Sequence, residues 1–444
     1  MLDEKLASAN DVRMPPCASG NLNQTAGNLR CTLPLEVQER ILDFLAGLID
    51  TGSREALTAC LLTCKAWIPR CRFHLLHEVS LRGRQEVFAF STLFKSNPRF
   101  QNKVAYARIK TRTPSGTGAT SQSMEHLSSF AARFSGRLPA SYDLSICDAQ
   151  LRPSNLHPDT FLHLSGFASL RQLLLKNVTF KTQMMLNRTI CAFPGLALLQ
   201  FTDIVILDDA QGLPLVVSHN HRPNIRHLGV DGSAETLRRI LDFYAAASFA
   251  ATLRTLVLGY RTAVPLRELS SSVQRLLNSA GQSLRTFSCV VDQHCFAEDS
   301  PHAQYISFVP CTQLERVILR IPIHSDPGIS WIPRLLSSIT LHDNGEVYLC
   351  FVAEAGLDGT PGVLQALETC LLHSTLLAEV EAVMLQSGFA KLKRCDVDLE
   401  VVSPISSSFS SRTWSEIVAS GMLQLVAQGI VRSAVRFVGD DHPA

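Results

Sequence analysis

Apolar residues recur with helical spacing directly after Pro34. The apolar stripe consists of Val37, Ile41, Leu42, Phe44 and Leu45, and charged side chains occupy the opposite face. Proline costs little in the first turn of a helix, where its missing N–H group would have no partner, and glycine favours the position after the last turn. The pattern therefore predicts a helix that begins near Pro34 and ends near Gly47.

A second amphipathic run follows the polar turn at residues 50–53. We expect Ser53 to cap this helix, because its hydroxyl can accept a hydrogen bond from a free N–H group of the first turn. The apolar side of the run carries Leu57, Cys60, Leu61 and Cys64. Lys65–Trp67 and Pro69 mark a third, shorter segment. A module of about 45 residues lies near the lower size limit for an independent core, so its apolar faces must be completed by the rest of the chain or by another protein.

The residues around this module have a different character. Residues 1–30 combine Pro, Gly and Asn with few periodic apolar positions, which predicts a flexible tail. After the module, Glu78–Leu81 alternates like a strand, residues 86–94 have helical spacing, and residues 104–109 form a second short strand pattern. Residues 111–123 contain almost no apolar side chain, so they predict an exposed loop.

One apolar phrase then repeats along the remaining chain. It consists of an apolar residue, two spacers, an apolar residue, one spacer and a third apolar residue. The phrase occurs at Leu170-Leu173-Leu175, Leu196-Leu199-Phe201, Ile225-Leu228-Val230, Leu253-Leu256-Leu258, Leu284-Phe287-Cys289, Leu314-Val317-Leu319 and, after a gap, Leu392-Cys395-Val397. Successive intervals of about 26 to 31 residues are typical of leucine-rich repeats.

Helical patterns between the phrases suggest units of one strand and one helix. Two examples are residues 234–244 and Leu266–Ala280, and a longer helical run covers residues 363–386. No asparagine recurs after the strands, so we expect an irregular array, closed by a cap helix at about 412–431. The predicted fold is α/β: a flexible tail (1–30), a helical module (31–77), and an irregular leucine-rich-repeat-like solenoid of strand-helix units (78–444).

The helical module resembles the F-box, in particular the F-box-like proteins abundant in fungi. The resemblance rests on Leu33-Pro34-x-Glu36, Val37, Ile41, Leu45, Leu57, Leu61-Leu62, Cys64-Lys65 and Trp67, and it covers about a tenth of the chain. The loop at residues 47–53 is longer than in many F-boxes. The resemblance implies a three-helix module that binds the Skp-type adaptor of a cullin-RING ubiquitin ligase. It places the adaptor contact on Leu33, Pro34, Ile41, Leu57, Leu61 and Trp67. The alternative is an ordinary helical pair at the start of a globular domain.

Composition narrows the classes of function. Apolar residues make up 46% of the chain and charged residues 18%, which argues against a disordered protein. The 41 basic and 39 acidic residues nearly cancel, so neither a nucleic-acid partner nor an anionic membrane surface is expected. We find neither a membrane-spanning apolar run nor a secretion signal, and the 13 cysteines are scattered. We therefore expect reduced thiols and a cytoplasmic or nuclear location, or both.

Metal and catalytic motifs give little support to an enzyme. The cysteines at 60, 64 and 71 match no common zinc spacing, the set Cys289, His294 and Cys295 lacks an evident fourth ligand, and His219 and His221 fit a solvated loop better than a metal site. We find no phosphate-binding loop, dinucleotide glycine set, nucleophile elbow or zinc-protease motif. We therefore expect neither a metal nor an organic cofactor, and a non-catalytic subunit.

The spacer positions of the predicted strands are rich in basic residues. They include Arg171, Lys176, Arg226, Arg254, Arg285, Arg316 and Arg320. Because arginine binds carboxylates and phosphates bidentately, this face could bind a target protein with acidic or phosphorylated groups. The alternative is that these residues only keep a sheet surface soluble.

Three functions are compatible with the sequence. The first is a substrate receptor (F-box subunit) of a cullin-RING, SCF-type ligase, which holds the adaptor and through it the cullin with its first helices, and an unknown protein substrate with its repeats. The second is a repeat scaffold without a ligase role, and the third is an enzyme with an unrecognised site. Exposure to solvent of the apolar stripe formed by Leu33, Ile41, Leu57, Leu61 and Trp67 would favour the first function over the second. Polar groups converging in a deep pocket would favour the third.

Overall fold

The structure is a computed structural model of the 444-residue chain. It describes residues 33–47, 51–111, 124–208, 222–246, 249–259, 263–264, 266–291, 306–323, 331–354, 371, 375–402 and 411–438.

The protein has an α/β fold, and thirteen of the described strands belong to one parallel sheet that is not closed. The chain divides into two compact units, which consist of residues 1–145 with 153–169 and of residues 146–152 with 170–444. None of the described helices is both long and apolar enough to span a membrane.

The first unit contains the predicted helical module. Its elements are α1 (Leu35–Gly47), α2 (Thr51–Thr63), a 3-10 turn (Lys65–Trp67), α3 (Ile68–His77), β1 (Glu78–Leu81), α4 (Arg84–Ser96), β2 (Tyr106–Lys110), α5 (Glu125–Phe134), the start of β3 (Asp143–Leu151) and α6 (Thr160–Ser165). Strands β1 and β2 pair in parallel, with Val79 opposite Ala107. The predicted end of α1, strand β1 and helix α4 are confirmed, and β2 begins two residues later than predicted.

An aromatic cluster forms the core beside these strands. It consists of Phe90, Phe94, Phe130, Phe134 and Phe167, whose neighbouring rings lie 4.3 to 5.7 Å apart. Helix α5 supplies two of these rings, although the sequence analysis assigned no element to it. Its buried positions Leu127, Phe130, Ala131 and Phe134 have the helical spacing that would have revealed it.

The second unit is built from parallel strands with helices between several of them. Its elements are the rest of β3, β4 (Gln172–Thr182), α7 (Gln183–Cys191), β5 (Leu198–Thr202), β6 (Val205–Asp208), β7 (His227–Asp231), α8 (Ala234–Ala246), β8 (Thr255–Leu258), α9 (Leu266–Ala280), β9 (Thr286–Val290), β10 (Arg316–Ile323), α10 (Trp331–Ser337), β11 (Gly345–Glu354), α11 (Leu376–Met384), β12 (Leu392–Val402), α12 (Ser411–Gly421), α13 (Leu423–Ala427) and β13 (Val431–Val438). The strand order is β4-β5-β7-β8-β9-β10-β11-β12-β13, and β6 also pairs with β4.

The repeated phrase lies on the buried side of these strands. All of its apolar residues are buried, from Leu170 at 0% exposure to Leu392 at 7%. The middle residues of successive phrases are direct partners in the sheet, as Leu173 and Leu199 illustrate. The phrase therefore predicted these strands correctly, and the structure adds their register. The phrase missed β11, which fills the gap between β10 and β12.

Two sequence predictions about helix ends need correction. Helix α2 begins at Thr51, so Ser53 lies inside the first turn of the helix rather than at the capping position before it. The cap helix expected at about 412–431 is two helices, α12 and α13, followed by strand β13. Gly429, with a φ of 70°, ends the helical segment. The alternation of apolar and polar side chains after it favours a strand.

Other predictions fall wholly or partly outside the described residues. They are the tail at 1–30, most of the loop at 111–123, and much of the helical run at 363–386. Within these ranges, Thr111 is buried at 7% exposure, and α11 covers part of the predicted run.

Candidate protein-interaction surface

The three helices of the N-terminal module share a small core. Leu42, Leu57 and Cys71, one from each helix, are at most 4% exposed. Leu45, Ala46, Cys60, Leu61, Trp67 and Leu75 pack against them. Burial raises the pKa of the Cys71 thiol, so this side chain remains a neutral, apolar group.

Polar contacts fix α1 against α3. Arg70 donates from Nε and Nη2 to the two carboxylate oxygens of Asp43, each at 2.6 Å, and His74 Nε2 lies 2.8 Å from Asp43 Oδ1. These hydrogen bonds, with Arg70 the larger contribution, lower the pKa of Asp43 to about 2. Trp67 Nε1 donates to Gln38 Oε1 at 2.6 Å. These packing and polar contacts hold the three helices together through one side of α1. The opposite side of α1 takes no part in them.

That other face of α1 is apolar and exposed. Val37 is 40% exposed, Ile41 44% and Phe44 69%. These three residues are spaced at i, i+4 and i+7, so they lie on one side of the helix. We call Val37, Ile41 and Phe44, together with Leu33 (49% exposed) just before the helix, the α1 patch. A group of large apolar side chains exposed to solvent is typical of an interaction site.

The residues predicted to contact an adaptor fall into three groups. Leu33, Pro34 and Ile41 are exposed and belong to or border the α1 patch. Leu61 and Trp67 are half-buried against the module core. Leu57 is 4% exposed, so its assignment as a contact residue is corrected: it fills the core instead.

Sequence analysis also missed part of this surface. It treated the apolar residues of α1 as one stripe, whereas the structure buries Leu42 and exposes Ile41 beside it. Phe44, with the largest exposure of the patch, was not named as a contact residue. The apolar residues at positions 37, 41 and 44 and those at 42, 45 and 46 together span too wide an arc of the helix for one buried face. This width could have indicated from the sequence that α1 has two apolar faces.

The basic residues predicted to bind a target are mostly engaged within the chain. Arg171 Nη1 donates to the carbonyl of Gly195 at 2.9 Å. Arg285 pairs with Glu315 at 2.5 Å, Arg316 with Glu346 at 2.6 Å and Arg320 with Glu400 at 2.8 Å. The charges of the last three are largely neutralised by these carboxylates, so the prediction of one long basic surface needs correction. The sequence could not show the ion pairs, because each joins residues at least 30 positions apart.

Lys176, Arg226 and Arg254 differ, since no ion pair is recorded for them within the described residues. Arg226 and Arg254 stand at the starts of adjacent strands, where the Arg254 N–H donates to the Arg226 carbonyl at 2.8 Å. Both side chains are exposed. Burial together with these two arginines lowers the pKa of the neighbouring His227. The pair therefore places two positive charges side by side, which is a suitable arrangement for an anionic group.

The part of the chain that the structure describes holds no group of three or more His, Cys, Asp or Glu side chains placed to bind a metal ion. Cys60, Cys64 and Cys71 are free thiols, Cys289 is buried in strand β9, and the candidates at 219, 221, 294 and 295 lie outside the described residues.

A small cavity of about 210 Å³ opens beside α11 and α13. Its lining is formed by Met384, Leu385, Gln386, Phe389, Ala390, Leu392, Leu425, Gln428 and Ile430. The only polar side chains are the two glutamines, which neither ionise nor act as nucleophiles. This cavity therefore contains no acid–base pair and no activated nucleophile.

Comparison with known proteins adds no assignment, because neither a family model nor a curated protein matches this sequence.

Proposed function

We propose that this protein is a substrate receptor of a cullin-RING ubiquitin ligase, with its N-terminal helices as an F-box-like module that binds a Skp-type adaptor. One observation carries the proposal: the α1 patch is exposed although the module core is complete without it. A helix that served only as a cap would turn its apolar residues toward the chain it covers. The position of the patch at the Leu33-Pro34 end matches the segment on which the F-box resemblance rests.

The remaining chain would act as an irregular leucine-rich-repeat-like solenoid that holds the target. Parallel strands with buried phrases and intervening helices support this part of the proposal. The protein would contribute proximity and orientation, while other subunits transfer ubiquitin to lysines of the target. It would act without a catalytic residue or cofactor of its own, in the cytoplasm or the nucleus.

Target recognition would use the arginine pair rather than the whole basic row. Arg226 and Arg254 are exposed and lack a recorded carboxylate partner among the described residues, so an acidic or phosphorylated target group could bind both. Replacing both with alanine should reduce capture of targets by the assembled ligase, whereas Arg285→Ala should not, because Glu315 already neutralises Arg285. Equal capture by both variants would remove this role from the pair.

The adaptor interface is tested by calorimetry of the full chain with a purified Skp-type adaptor. The triple variant Val37→Ser, Ile41→Ser, Phe44→Ser should fold normally and lose binding, because buried apolar anchors typically contribute about 2 to 4 kcal/mol each at an interface. Leu162→Ser is a matched control, since Leu162 is 69% exposed on α6, outside the patch. If the intact chain does not bind the adaptor, the protein is a repeat scaffold, and the patch has another partner.

A further inference from the structure

Among the described strands, β13 has one neighbour in the sheet. All eight of its residues pair with β12, from Val431 opposite Cys395 to Val438 opposite Val402, and the strand order ends there. At the other end of the order, β1 has four residues, and the guanidinium of Arg54 donates to the carbonyl of Glu78 at 2.9 Å. No comparable cover of β13 is recorded among the described residues. Long, regular edges of this kind readily accept another strand.

The hydrogen bonds to β12 show which backbone groups point outward. Cys395 donates its N–H to the carbonyl of Ile430 at 3.0 Å. Because the direction of backbone groups alternates along a strand, the N–H and carbonyl groups of Arg432 and Ala434 also point toward β12. Val431, Ser433 and Val435 then direct their N–H and carbonyl groups to the free edge. A strand at this edge would find a regular row of donors and acceptors.

The side chains on the helix-facing side of β13 are incompletely covered. Val431 and Val435 are half-buried, whereas their direct partners on β12, Cys395 and Leu399, are 0% exposed. In α13, just before this strand, Leu423 is 66% exposed and Val426 37%. Apolar side chains on an added strand would continue the row and bury Val431 and Val435.

The opposite side of β13 is basic. Arg436 Nη2 contacts Asp398 Oδ2 at 3.0 Å, and the Tyr348 hydroxyl donates to the same oxygen at 2.6 Å. Asp396, the register partner of Arg432, is already bound by Arg394 at 2.7 Å. Arg432 is exposed and has no recorded carboxylate partner within the described residues.

This charge pattern favours one occupant over another. Arg436 is already paired with Asp398, so the charge left to pair on this face is that of Arg432. A second copy of β13 would bring two more arginines to this face and no carboxylate for Arg432, and like charges on neighbouring strands are destabilising. A strand with an acidic side chain on this face would instead pair with Arg432. We propose that β13 binds an extended peptide segment of another protein as an additional strand, with an acidic residue facing Arg432 and apolar residues facing Val431 and Val435.

The test uses the full chain and a capped heptapeptide in which glutamate and valine alternate. Two further peptides carry N-methyl groups, one on the valines and the other on the glutamates. Since only one set of N–H groups can face β13, one N-methylated peptide should bind at least about tenfold more weakly than the parent, and the other should bind about equally. Which of the two N-methylated peptides loses binding also shows whether the peptide runs parallel or antiparallel to β13.

Two protein variants test the charge pattern. Arg432→Glu should weaken binding of the parent peptide by about tenfold or more, whereas Arg99→Glu, an equal charge change at an exposed residue of the first unit, should not. No binding of the parent peptide, or equal binding of both N-methylated peptides, would overturn the proposal. Sedimentation of the chain alone tests whether a second copy of the chain occupies the edge of β13. A dimer that dissociates when the peptide is added would show that it does, and would overturn the proposal.

Discussion

The side-chain amide of Asn177 donates to Oδ1 of Asp148 at 3.0 Å, and both residues have a positive φ, 52° and 54°. Asp203, Gly232 and Gly259 also have positive φ and follow the next strands at nearly the same level of the sheet. Asn, Asp and Gly tolerate this left-handed conformation better than other residues. Each of these strands therefore has a left-handed turn at the same level, and the Asn177–Asp148 bond joins two of these turns directly.

Replacing Asn177 should separate the two contributions of this residue. Asn177→Ala removes the bond to Asp148 and places an alanine at positive φ, so we expect a loss of about 2 kcal/mol in the free energy of unfolding. Asn177→Gly keeps the conformation accessible and loses only the hydrogen bond, so it should cost about half as much. Urea unfolding of both variants measures the difference. Equal losses would mean that the left-handed conformation costs nothing here.

These turns also show how far the sequence could predict the fold. The apolar phrase identified strands correctly because burial depends on residue type and spacing, as Leu199 and Leu256 illustrate. We found no recurring asparagine because the left-handed position is shared among Asn, Asp and Gly. A search for all three residue types at that position would have revealed it.

Contacts between distant residues explain the remaining errors. Arg316 and Glu346 pair only because β10 and β11 are neighbours in that register, and no local pattern encodes this. On α1, the spacing shows which positions are apolar, but the positions of α2 and α3 decide that Leu42 is buried and Ile41 exposed. The alternation of Val431, Ser433 and Val435 was a readable strand signal that the preceding helical pattern obscured.

Adjacent residues of α1 give a direct test of the two apolar faces. Leu42 is 1% exposed and Ile41 44%. Leu42→Ala should lower the free energy of unfolding by about 2 to 5 kcal/mol, because it leaves a cavity among Leu57 and Cys71. Ile41→Ala should change stability by less than about 0.5 kcal/mol and affect adaptor binding instead. Hydrogen exchange of peptides from α1 and α3 measures the stability of the module. Comparable destabilisation by both variants would contradict the assignment of faces.

Asp143 should make stability depend on pH. Burial raises the pKa of its carboxyl to about 6, with an opposing effect of Arg108 and a supporting effect of Glu78. Because the folded state holds this proton more tightly than the unfolded state, stability is lost as pH rises from about 4 to 6. Asp143→Asn removes the loss, so we expect a gain of about 1 to 3 kcal/mol at pH 7 and little change at pH 4.

Urea unfolding of the two proteins at both pH values measures this effect. Glu55→Gln serves as a control, since Glu55 is exposed on α2 and has no recorded ion pair among the described residues, so its replacement should change stability little at either pH. A gain from Asp143→Asn that is equal at pH 4 and pH 7 would point to a cause other than the ionisation of Asp143.

Arg320 should contribute to stability rather than to target binding. Its Nη2 lies 2.9 Å and 2.8 Å from the two carboxylate oxygens of Glu400, whose side chain is 19% exposed. The neighbouring Cys350 thiol lies 3.5 Å from Glu400, and burial, followed by the charge of Glu400, raises its pKa to about 12, so the thiol stays protonated. Arg320→Ala leaves the carboxylate without its cation, and we expect a loss of about 1 to 3 kcal/mol.

A double-mutant cycle distinguishes this role from target recognition. Adding Glu400→Gln to Arg320→Ala should recover part of the lost stability, because the unpaired charge is removed. Arg285→Ala should cost less than about 1 kcal/mol, since the Arg285 and Glu315 side chains are 48% and 39% exposed. If Arg320→Ala instead leaves stability unchanged and abolishes capture of targets by the assembled ligase, Arg320 belongs to the target-binding surface after all.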